Sequence, residues 1–143
     1  MSESDFAREV KQSLLNVDSN IHISSVESHL TSAGIPDLDV CIDGEENHIE
    51  LKWSWEDNAP EIRPTQVRWF KNRCKAGGNP WIFAKVWAFN NCQYLLIPGH
   101  RMEQLARTKK AVDWIPLAEY VWTGKMSRQD WIKFLQVVFL LIP

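Results

Sequence analysis

Two short runs in the first half of the chain constrain its fold more than any other feature. Asp37-Leu38-Asp39-Val40-Cys41-Ile42 and His48-Ile49-Glu50-Leu51-Lys52-Trp53 each alternate polar and apolar side chains, the period of a half-buried β-strand. Between them Asp43-Gly44-Glu45-Glu46-Asn47 reads as the loop of a β-hairpin. With a side-chain period of two, burying Leu38, Val40 and Ile42 together with Ile49, Leu51 and Trp53 places Asp37, Asp39, Glu50 and Lys52 on the opposite face. A one-residue slip would bury the charges instead. Cross-strand neighbours sit about 5 Å apart at Cβ, close enough for carboxylates to share a cation. An oxygen-only donor set suits Mg²⁺ or Mn²⁺ rather than zinc.

The flanking segments read as alternating helices and strands. Ser4 is a candidate cap for a first helix carrying Phe6, Val10 and Leu14 on one face, ended by residues 17–20. Residues 21–28 read as extended rather than as a helical turn, and Ser32-Ala33-Gly34-Ile35-Pro36 as a turn in which Gly34 takes a positive φ. A helix is expected from Pro64 to about Ala76, stopped by Gly77-Gly78-Asn79-Pro80. Apolar runs at 81–89 and 93–97, joined by Asn90-Asn91, predict a second hairpin. Residues 101–110 suit a short helix, and Ser127-x-x-Asp130 a capped start to the last one. With no repeat, low-complexity segment or linker, the expectation is one α/β domain over 1–143.

The net charge of −2 hides a strong asymmetry. From Asp37 to Glu61 the only lysine or arginine is Lys52, among many carboxylates; from Ile62 to Met102 there is no acid at all. That second stretch carries Arg63, Arg68, Lys71, Arg73, Lys75, Lys85 and Arg101. An acidic stretch followed by a basic one is what a metal site beside a phosphate-binding surface requires; the plainer alternative is two solvated faces. On the helix after Pro64, Val67, Phe70 and Cys74 share the face expected to meet the sheet. Arg68, Lys71 and Lys75 repeat that spacing on another face, with Arg73 nearby and Arg63 just ahead. Such a stripe grips phosphates. Beside it, the Lys52 ammonium would orient an attacking water and offset developing negative charge.

Cys41, Cys74 and Cys92 form no C-x-x-C pair, which argues for a reducing compartment and against a thiolate zinc site. The scattered histidines read as ordinary surface or core residues. A polar N-terminus without a secretory signal and an apolar tail too short to span a bilayer point to the cytoplasm.

Gly34-Ile35-Pro36-Asp37, then Glu50-Leu51-Lys52, then Gln66 near a helix start, together resemble the PD-(D/E)xK nuclease superfamily over roughly residues 21–86. The likeness is greatest to its small VRR-NUC and phage-type members, among them structure-specific endonucleases and Holliday-junction resolvases. The resemblance implies a restriction-endonuclease-like core: a small mixed β-sheet with a central hairpin, flanked by helices. It implies Asp37 and Glu50 as metal ligands, helped by the Leu51 carbonyl, Lys52 as the catalytic lysine and Gln66 as the support from the next helix. Glu27 falls where many relatives place a further upstream carboxylate, with Glu9 as its competitor. The implied activity is Mg²⁺- or Mn²⁺-dependent hydrolysis of DNA, branched or otherwise structured, by a phage-like enzyme in the host cytoplasm. Alternatives are a nicking or exonucleolytic repair nuclease, a nuclease-fold binding module without turnover, and an assembly protein using its aromatic surface.

Eight tryptophans are unusual for this length. Parity places Trp53 in the core with Trp55 on the same face, and Trp69 lies near the proposed site; base stacking is the other role open to them. The stripe of Trp131, Phe134, Leu135, Val138 and Phe139 either closes the core or forms a homodimer interface.

Overall fold

The computed structural model describes residues 2–26 and 34–140. Helix α1 (Glu3–Val17) is capped by Ser2, whose hydroxyl accepts from the Asp5 N–H while the Asp5 carboxylate accepts from the Ser2 N–H at 2.8 Å. The helix thus starts before the expected Ser4, because a cap at Ser4 would find Ala7 at the reciprocating position, with nothing to return the bond. Phe6, Val10 and Leu14 are buried as their spacing predicts.

Strands β1 (His22–Ser25), β2 (Leu38–Ile42) and β3 (Glu45–Ser54) form an antiparallel meander. The hairpin loop is shorter than the five residues expected. Asp43 and Gly44 alone make the turn, at φ 52 and 80, because Asp-Gly satisfies a two-residue turn needing two positive φ values. Glu45 to Asn47 therefore belong to β3. Helix α2 (Pro64–Lys75) then carries the chain across to β4 (Trp81–Ala88), which pairs in parallel with β3, a geometry that requires a crossover rather than a tight turn. Strand β5 (Asn91–Pro98) returns antiparallel through a turn at Phe89-Asn90, one residue earlier than expected. A 3-10 turn at Gly99–Arg101 leads into α3 (Met102–Arg107), followed by a 3-10 segment at Ala111–Leu117, strand β6 (Tyr120–Thr123) and α4 (Arg128–Val138). Ser127 and Asp130 cap α4 reciprocally, so aspartate serves where glutamate is usual.

The result is an α/β structure around a six-stranded mixed sheet in the order β1-β2-β3-β4-β5-β6. The parallel pair β3 and β4 holds its middle, so the first hairpin supplies one of the two central strands through β3 and its neighbour β2. One face packs Leu38, Val40, Ile42, Ile49, Leu51 and Phe83 against α1 and α4. The other packs Ile82, Ala84, Val86, Leu95 and Ile97 against Phe70 of α2, Met102 and Leu105 of α3, and Trp114. Trp131, Phe134, Leu135 and Val138 of α4 are buried. At roughly 1.5–3 kcal/mol for each large apolar side chain fully buried, that stripe is committed to the core rather than to a second copy.

Sequence alternation implied one buried and one polar face for β3. Instead Ile49, Glu50, Leu51 and Lys52 are all buried, because α2 covers the second face, as helices do on both sides of parallel pairs. Among the described residues, no helix is long and apolar enough to cross a membrane.

Candidate functional site

The register Leu38↔Ile49 and Asp39↔His48 is the one the hydrophobic pattern demands, and it sets Asp39, Glu50 and Lys52 on the α2 side of the sheet. The β2–β3 ladder ends at Leu38↔Ile49. Asp37, one residue beyond, folds its carboxylate over the ladder's end, where Oδ2 accepts from the Leu51 N–H at 2.9 Å. Its own N–H donates to Glu50 Oε1 at 3.2 Å. Because N–H and C=O of one residue in a strand point to the same edge, the Leu51 carbonyl is aimed toward the Asp37 side.

Gln66, in the first turn of α2, ties the group together from above. Its Nε2 donates to Glu50 Oε2 at 2.8 Å, and its Oε1 accepts from Lys52 Nζ and from the Arg63 N–H, each at 3.0 Å. Arg63 precedes the helix and has no acceptor on its side chain, so only this returning half of a capping box forms. Lys52 Nζ also donates to the Glu61 carbonyl at 2.7 Å and lies 3.3 Å from Glu50 Oε2. Three acceptors thus surround the three protons of the ammonium.

Glu50 is 2% exposed and Lys52 7%, an expensive placement for charge. Burial, reinforced by the nearby Asp37 carboxylate, pushes the Glu50 pKa up to about 8 despite Lys52. Burial likewise raises Asp37, against the opposing pull of the Leu51 N–H and Lys52. Two carboxylates crowded together and poorly solvated are a site in deficit of positive charge, which a divalent cation relieves. The donor set fits a hard cation: two carboxylates with a backbone carbonyl beside them. Among the described residues no three His, Cys, Asp or Glu side chains gather tightly enough to hold a metal alone, so such an ion would depend on backbone and water oxygens.

These groups open into a cavity of about 540 Å³ lined by Glu3, Val26, Asp37, Glu50, Lys52, Trp53, Pro60, Glu61, Arg63 and Gln66. Of the residues singled out in the sequence, Asp37, Glu50, Lys52, Gln66 and Arg63 converge here. Asp39 is on the same face but stands opposite His48, outside the cavity. Glu9 belongs to the other layer, where it pairs with Lys85 at 2.9 Å and accepts from the Tyr94 hydroxyl, and it does not line this cavity. Glu27 lies outside the described residues. Glu3, from the first turn of α1, lines the cavity without having been anticipated; nothing in its local sequence signals this, since only the tertiary fold carries α1 to the cleft.

The basic residues of α2 disperse. Arg68 and Lys75 are exposed, Lys71 turns toward α3 with Nζ 3.9 Å from Glu103, and Arg73 lies over the Trp69 ring at 4.6 Å. Trp69 in turn meets His48 edge-on at 5.4 Å, on the face of β3 that α2 covers. Trp53 is half-buried at the cavity wall, whereas Trp55, two residues on, is mostly exposed. Compared with known proteins, the chain matches no protein-family model, and no curated protein proves similar enough to count as a relative.

Proposed function

We propose that the chain is a divalent-metal-dependent nuclease with a restriction-endonuclease-like core, cutting the phosphodiester backbone of branched or otherwise structured DNA in the cytoplasm, of a phage host if phage-encoded. One observation supports this most: Glu50 and Lys52 are buried side by side at the wall of an open cavity, beside a second carboxylate that destabilises the first. A purely structural pair gains little from such a placement, whereas a hydrolytic site needs it. Asp37, Glu50 and the Leu51 carbonyl are the residues that would hold Mg²⁺ or Mn²⁺. Such an ion supplies a Lewis acid and a water of lowered pKa.

The protein's own groups have separable tasks. Lys52, held by Gln66 and the Glu61 carbonyl, keeps a positive charge where negative charge develops on the phosphate. Its contact with Glu50 is the longest of its three, and is the one it can share with a water or a phosphate oxygen. Arg63 at the cavity rim positions the phosphate, with Arg68, Lys71, Arg73 and Lys75 as the wider electrostatic surface. Purified protein should nick or cut labelled junction, flap and duplex DNA in Mn²⁺, and EDTA should stop it. Asp37→Asn, Glu50→Gln and Lys52→Met should each reduce cleavage about 100-fold or more while remaining folded. Full activity in any folded variant would overturn the assignment.

A second reading draws on the saturation of Lys52. With all three N–H groups engaged inside the protein, the cluster would serve as a lock for a DNA-binding module without turnover. DNA binding with no cleavage in Mn²⁺ would favour it. A junction-cutting enzyme also needs two sites, and sedimentation on DNA would show whether a homodimer forms.

A further inference from the structure

Beyond the cavity, the far ends of β3 and β4 carry an aromatic ledge that the core does not use. Trp55 is 52% exposed and Phe89 76%. The Trp55 and Trp87 rings lie 5.1 Å apart, and Trp87, Ala88 and Phe89 line a hollow of about 170 Å³ with Asp57, Lys110 and Val112. That is smaller than the pocket of a drug-sized ligand and suits one planar group at a time. Phe89 is held in a costly way. It has φ 55 in the two-residue turn before β5, a conformation that favours glycine, asparagine or aspartate and penalises a bulky side chain. Backbone strain of this kind points to use of the side chain it displays.

The ledge is continuous with the candidate site. Trp53 lines the cavity, and Trp55 follows two residues on, just past the end of β3, about 7 Å away at roughly 3.3 Å per extended residue. The segment after Trp55 supplies Asp57 to the hollow and Pro60 and Glu61 to the cavity wall. It is tied down by the Ala59 N–H to the Lys109 carbonyl and by the Ala111 N–H to the Asp57 carbonyl. These bonds hold the exposed Lys109 and Lys110 at this edge, and Lys110 lines the hollow together with Asp57 and the rings. Aromatic faces in steps, flanked by lysines, are the surface on which unpaired bases stack.

We propose that this ledge binds the unpaired bases of a single-stranded DNA segment leaving the cavity past Trp53. Resting on the nuclease reading, this makes a DNA with a single-stranded arm a better substrate than a fully paired duplex. The test uses full-length protein and two variants, Trp55→Ala and Phe89→Asn. Asparagine is at home in the turn, so Phe89→Asn should melt at the same temperature as the wild type or higher. Binding of labelled oligothymidylate in EDTA should weaken roughly 5- to 150-fold in each variant, the range for losing a base stack. Cleavage in Mn²⁺ should fall for a duplex with a single-stranded arm and hold for the same duplex without one. Wild-type protein that does not bind oligothymidylate, or folded variants that bind it unchanged, would overturn the ledge. So would a dimer that both variants dissociate with no effect on the oligonucleotide, which would mark a protein interface. Ledge-dependent binding with no cleavage of any substrate would uphold the ledge and overturn the nuclease.

Discussion

Gln66 shows how one neutral side chain organises a charged site. It supplies a donor to Glu50 and an acceptor shared by Lys52 and the Arg63 N–H, so a single rotamer orients carboxylate, ammonium and helix start. Replacement by methionine keeps much of the volume and removes every one of these bonds. Buried polar groups left unpaired cost about 1–3 kcal/mol each, and water from the cavity can satisfy part of the deficit. Gln66→Met should therefore lower stability in urea by about 2–4 kcal/mol, and cleavage should fall more than tenfold. Unchanged stability would mean that Gln66 is not holding the cluster. Spacing and resemblance singled out this glutamine. They did not disclose the double use of its oxygen, because Arg63 and Lys52 meet only after β3 and α2 pack.

Elements place these residues through a few close contacts that no local pattern contains. Gly34 has φ 72, as a turn glycine should, but the stronger constraint is tertiary: a Cβ there would lie 2.2 Å from the Thr65 carbonyl oxygen in the first turn of α2. The Gly-Ile-Pro-Asp segment thus seats Asp37 against the helix that carries Gln66. Gly34→Ala should push the two apart, costing about 2 kcal/mol or more from clash and a positive φ together. Mn²⁺ affinity should fall with it, as calorimetry would show; an unperturbed variant would remove this contact from the site's support. Other elements were legible to different degrees. The first hairpin and α2 follow from alternation and from Pro64, whereas the turns slipped where an Asp-Gly pair or a strained Phe89 decided them. Strand β6 and the 3-10 segment at Ala111–Leu117 left no periodic signature, since a four-residue edge strand is defined by its partner β5 rather than by itself.

At the scale of the whole molecule, the site's electrostatics should be visible in the stability of the protein itself. Glu50 titrates near 8 in the folded chain against 4.5 for an unperturbed glutamate, and Asp37 is shifted in the same direction. Between those two values the folded protein retains a proton that the unfolded chain has released, so raising the pH favours unfolding. Metal-free protein should therefore be most stable toward the lower end of the window and lose stability as pH rises through about 8. The upper limit is about 1.4 kcal/mol per pH unit for one group. Glu50→Gln removes the proton exchange and should flatten the profile. A divalent ion takes the place of the proton, so Mn²⁺ should raise the melting temperature more at pH 8 than at pH 6. A flat melting profile for the wild-type protein, with no pH dependence of the Mn²⁺ effect, would show that Glu50 is not the strained carboxylate its burial beside Asp37 implies. The decisive comparison is between wild type and Glu50→Gln across that window, because groups remote from Glu50 contribute equally to both and cancel, leaving Glu50 and the Asp37 carboxylate coupled to it.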